Sequence, residues 1–203
     1  MRFKVYYSNM KPILNVLLLR ALLLWLIFPA CSVSVEAQRY QDFTTRTPFG
    51  EGQVLIIGFM GGRESWDSQT QGVRKMALKF RAMNLSGVQV ETVENRKRHL
   101  AIELIRKAFD RNQDGQLDEQ ERTSVRLILY GQSFGGAAVV KLARQLEKMK
   151  IPVLLTIQID SVGRGDKLIP PNVTRAANLF QRNGLLIDAP PAKARGFLSH
   201  RNK

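Results

Sequence analysis

One stretch, residues 125–140 (VRLILYGQSFGGAAVV), limits the folds open to this chain more than any other. It opens on Val125, Leu127, Ile128, Leu129 and Tyr130, apolar residues whose branched and aromatic side chains suit a buried strand. It then turns through Gly131-Gln132-Ser133-Phe134-Gly135-Gly136, and 137–149 follows as a helix. The rest of the chain alternates in the same way. A continuously apolar strand at 54–59 is followed by a glycine-bearing loop and an amphipathic helix at 73–83, with Val73, Met76, Ala77, Phe80 and Met83 on one face. A strand at 88–93, a helix at 99–109, a strand at 151–159, a helix at 173–182 and a short strand at 185–187 complete the order. Alternating strands and helices predict an α/β fold, a three-layer sandwich on a mostly parallel sheet.

The turn carries the chemistry. G-x-S-x-G between a strand and a helix is the setting in which a serine is held at the tip of a strained turn. Gly131 and Gly135 lack Cβ atoms, so strand and helix can pass close to Ser133. The stretch resembles the nucleophile elbow of the α/β-hydrolase family, and the resemblance extends over about 54–186. It implies Ser133 as nucleophile, with the N–H groups of Phe134 and of Met60, in the Met60-Gly61-Gly62 loop after the first strand, as oxyanion donors. It also implies Asp160, at the end of the 151–159 strand, as the carboxylate that orients a base; Asp188 and Asp166 are rivals. The family order then requires a histidine. His99 precedes both partners, so His200, in the basic tail, is the residue that fits. Family members bring this histidine from a further strand and helix, so the expectation includes a domain cut short at its C-terminus.

Residues 110–121 read DRNQDGQLDEQE and match the EF-hand calcium loop at each defined position. Asp110, Asn112 and Asp114 offer side-chain oxygens, Gln116 a backbone carbonyl and Glu121 the twelfth-position carboxylate, with Gly115 at the sharp turn. The pattern predicts Ca2+. The entering helix is present, but Arg122-Thr123-Ser124 leads at once toward the next strand, so no exiting helix is expected. A lone loop of this kind suits a structural ion that clamps helix 99–109 to the strand presenting Ser133.

Residues 1–37 read as a secretory signal: Arg2, Lys4 and Lys11, an apolar run resuming at Ala21 after Arg20, then Val35-Glu36-Ala37. An uncleaved anchor is the alternative, and Cys31 as a lipoprotein cysteine is disfavoured by the Phe-Pro before it. Residues 38–52 are polar and read as a linker, 53–190 as the hydrolase-like domain and 191–203 as a basic tail. The net charge of +14 favours anionic partners such as a membrane surface, or simply keeps the chain soluble. No nucleic-acid motif is present. Two functions follow: an exported serine esterase or lipase acting on a small ester or lipid, or a non-catalytic calcium-binding envelope protein that keeps the fold.

Overall fold

A computed structural model describes residues 37–180 and the backbone of 193–194. Residues 1–36 of the expected signal or anchor, the expected 185–187 strand, Asp188 and His200 lie outside the described residues. Among those described, no helix is long and apolar enough to cross a membrane.

Five strands form one sheet: β1 (Val54–Phe59), β2 (Val88–Val93), β3 (Leu127–Gln132), β4 (Val153–Ile159) and β6 (Val173–Leu179). Their spatial order is β2-β1-β3-β4-β6, and each pairing is parallel. β5 (Leu168–Ile169) and β7 (Lys193–Ala194) make a separate parallel pair. Parallel neighbours need crossovers, and three of them are helical. Helix α1 (Gly72–Ala82) joins β1 to β2. Helices α2 (Arg98–Phe109) and α3 (Glu119–Ser124) join β2 to β3. Helix α4 (Phe134–Lys148) joins β3 to β4.

Residue alternation on the strands divides the core. Leu55, Ile57, Phe59, Leu127 and Leu129 face α2 and α4, packing with Leu104, Phe109, Val139 and Leu142. Ile56, Val90 and Tyr130 face the other way, against Val73 and Ala77 of α1. The sheet is therefore enclosed between helical layers, as the alternating pattern predicts. Each fully buried Leu, Ile, Val or Phe stabilises by roughly 1.5–3 kcal/mol. Most of them sit on β1, β3 and α4, the three elements that meet at Ser133.

Three expectations need correction. Residues 173–182 do not form a helix: Val173–Leu179 is strand β6, paired with β4 from Val153↔Val173 to Ile159↔Leu179. The Ala-Ala pair favours helix locally, but an open β4 edge satisfies a whole row of backbone groups, and tertiary pairing overrides propensity. Residues 38–52 are not a free linker. Glu91, wholly buried on β2, accepts the backbone N–H and hydroxyl of both Thr44 and Thr45 on Oε1, and Arg81 on Oε2. Gln38 and Phe49 are buried alongside. Finally, an exiting helix does follow the acidic loop. Asp118 and Glu121 cap α3 reciprocally, and this capping box supports a helix too short to show a periodic stripe.

Candidate functional site

The register brings the carboxyl ends of three strands to one edge, with Phe59 beside Gly131 and Gln132 beside Ile159. Ser133 follows at the tip of β3, with φ 54° and ψ −122°. A residue with a side chain is strained there by about 1–3 kcal/mol. The surroundings leave the backbone no other course. A Cβ on Gly131 would lie 2.5 Å from the carbonyl carbon and oxygen of Gly135, and one on Gly135 would lie 2.1 Å from the Phe59 carbonyl oxygen. Helix α4 thus starts in direct contact with the ends of β1 and β3. The Ser133 N–H donates to the Ile159 carbonyl at 2.9 Å, and the Ser133 carbonyl accepts from Gly136 at 3.0 Å and Val162 at 3.1 Å.

Asp160 is placed by the same bonds. It lies between Ile159 and Val162, which both bond to Ser133, and its own N–H donates to Leu179 at 2.8 Å. Its φ of 43° is left-handed, a second strained position beside the first. Asp166, the weaker rival, is buried and accepts the Ser161 hydroxyl at 2.7 Å, which staples the turn after β4. His99 is exposed on the first turn of α2, after the edge strand β2.

The oxyanion donors divide. The Phe134 N–H, at the start of α4, has no partner among the described residues. Met60 does not fit the role expected of it: its N–H donates to Val93 at 2.9 Å, because the β1–β2 ladder runs one residue past the strand. In the turn that follows, the Gly61 N–H donates to Glu64 Oε2 at 3.0 Å, and a Cβ on Gly61 would stand 3.2 Å from the Gln132 carbonyl oxygen. Asn95 shapes this turn, its Nδ2 donating to Met60 at 3.1 Å and Gly62 at 2.6 Å. A lone Asn after a strand gave no sequence signal of that task. Beneath the turn, Tyr130 donates its hydroxyl to the Val73 carbonyl at 2.9 Å, and burial raises its pKa well above the usual phenol range.

The acidic loop lies at the other end of β3, about 20 Å away along a six-residue strand. Its side chains fold the loop on itself. Asp110 accepts the N–H of Asp114 at 3.1 Å and of Gly115 at 2.8 Å. Asn112 Oδ1 accepts Asp114, and Asp114 Oδ1 accepts Gln116. Glu121 returns to the loop's start, accepting Arg111 at 2.8 Å and Asn112 at 3.3 Å on Oε1, and Asp118 at 3.1 Å on Oε2. Gly115 takes φ 87°, as the sixth position requires. Among the described residues, no three carboxylate, imidazole or thiolate groups converge closely enough to hold a metal ion. The donor set is nevertheless all oxygen. Asp110 and Glu121 are each 6% exposed, and neither is paired with a basic side chain among the described residues.

No family model and no curated protein matches the chain.

A serine on a strained turn, a helix-initiating N–H beside it with no partner among the described residues and an aspartate at the next strand end are residue types that acyl transfer uses. The loop's oxygen donors are of the type a hard divalent cation takes, but its two buried carboxylates are held by backbone N–H groups.

Proposed function

We propose that the chain is an exported serine hydrolase of esterase or lipase type, related in fold to the α/β-hydrolases, with a structural calcium site. The observation that carries this reading is the backbone of Ser133. Strain at a residue with a side chain persists only where the surroundings enforce it, and here two glycines closed to any Cβ enforce it.

In this reading Ser133 attacks the ester carbonyl and Asp160 orients the base. His200, outside the described residues, is the base by chain order. The Phe134 N–H stabilises the developing oxyanion, and since the Gly61 N–H is bonded to Glu64 as that of Met60 is to Val93, the Gly62 N–H is the second donor. Asp110, Asn112, Asp114, Glu121 and the Gln116 carbonyl hold Ca2+, which ties α2 to the foot of β3. An ion about 20 Å from the serine acts on stability and takes no part in the chemistry. The exported location rests on the 1–37 segment, and the basic charge suits an anionic membrane surface.

A fluorophosphonate probe tests the enzyme reading. Wild type should be labelled at Ser133 and should hydrolyse short p-nitrophenyl esters. A wild-type chain that folds, binds calcium and takes no label would instead be the non-catalytic calcium-binding protein.

A further inference from the structure

Beside the acidic loop, between the last turn of α2 and the end of α4, lies an open cleft of about 310 Å³. It is lined by apolar Leu117, Met149 and Ile151, by the Gly115–Gln116 turn, and by Arg106 and Arg122, with no acidic residue in the lining. Arg122 donates from Nη1 to the Leu117 carbonyl at 2.6 Å, which fixes its guanidinium at the cleft wall. The Arg106 side chain has no hydrogen bond or ion pair among the described residues. Of the carboxylates close to them in sequence, Glu103 is paired with Lys107, and Asp110 and Glu121 are turned into the loop toward backbone N–H groups. Two cations therefore line one cleft without a counter-charge, an arrangement that an anion relieves.

We propose that this cleft binds a small anionic amphiphile. Its phosphate or carboxylate head sits on the two guanidinium groups, which are shaped to take such oxygens in pairs. A short alkyl chain lies on Leu117, Met149 and Ile151. The volume stands at the lower end of ligand pockets, which span roughly 300–1,000 Å³, and so admits a head and a short chain. The site is independent of Ser133, at the opposite end of β3. Gln116 belongs to both the cleft wall and the calcium-type loop, which gives a ligand here a direct contact with that loop.

Isothermal titration of the full chain in millimolar calcium tests the proposal, using octyl phosphate, inorganic phosphate and octanol as probes. Octyl phosphate should bind saturably, and the other two at least about tenfold more weakly, a difference of about 1.4 kcal/mol. Arg106→Gln should weaken octyl phosphate at least about tenfold with little change in the unfolding midpoint, since the Arg106 side chain bonds to nothing among the described residues, and Arg106→Glu should weaken it further. Arg122→Lys keeps the charge but loses the fork, and should weaken it less. Vesicles containing phosphatidic acid separate the sources. Competition with octyl phosphate assigns the head to a lipid, and its absence assigns it to a soluble monoester or carboxylate. Unaltered binding to Arg106→Gln, or octyl phosphate binding no tighter than octanol, overturns the proposal.

Discussion

The two ends of β3 are built on opposite principles. At the carboxyl end, backbone is pressed against backbone and Ser133 is held in a conformation it would not choose. At the amino end, carboxylates accept loop N–H groups, and Asp110, Asn112, Asp114 and Glu121 each satisfy backbone that would otherwise be loose. The first end stores strain at a half-buried serine. The second relieves unsatisfied groups and gathers charge. Rigidity is thus reached by exclusion at one end and by hydrogen bonding at the other, and substitutions should separate function from stability accordingly.

The largest expected effect is at the serine. Ser133→Ala should abolish fluorophosphonate labelling and lower ester hydrolysis at least about a thousandfold, with an unchanged circular dichroism spectrum. Next comes the packing that enforces the turn. Gly135→Ala forces a Cβ into the Phe59 carbonyl and should destabilise by about 3 kcal/mol or more in denaturant unfolding.

At the other end the effects should fall on stability alone. Glu121→Gln weakens the charge-assisted bonds to Arg111, Asn112 and Asp118 and should cost about 2 kcal/mol. It should also remove any rise in unfolding midpoint that millimolar calcium gives wild type. A calcium response that survives in Glu121→Gln would place the ion elsewhere. Ser133→Gly sharpens the contrast from the strained side. Relief of the φ 54° conformation should outweigh the added chain entropy and stabilise by about 1 kcal/mol while activity is lost.

The smallest effect concerns Tyr130, whose burial raises its pKa in the folded state. An acid of raised folded pKa leaves stability intact below its unfolded value and erodes it above. Wild type should therefore lose stability relative to Tyr130→Phe only above about pH 10, seen by comparing unfolding midpoints across that range.

Local pattern made β1 and β2 legible to the residue, because a continuous apolar run and a clean alternation need no partner to be recognised. The tight strand-to-helix turn at Ser133 was legible from its glycines, and the self-bonded acidic loop from the five fixed positions of its pattern. Strand β6 was not, since Thr174, Arg175 and Ala176 are exposed on an edge and carry no period of burial. The bonded state of Met60 was equally hidden, because it depends on how far β2 extends beside it.

By itself the sequence determined which residues could turn, which could be buried and which could offer oxygen or hydroxyl, for these are properties of side chains and their near neighbours. Only the tertiary structure decided that Ser133 is strained, that the Asp160 backbone lies beside it, that Thr44 and Thr45 are bound to Glu91 and that the acidic loop sits at the far end of the same strand. Those depend on register and on close approach between segments distant in sequence. A Cβ 2.1 Å from another chain segment's carbonyl is a fact about two positions at once.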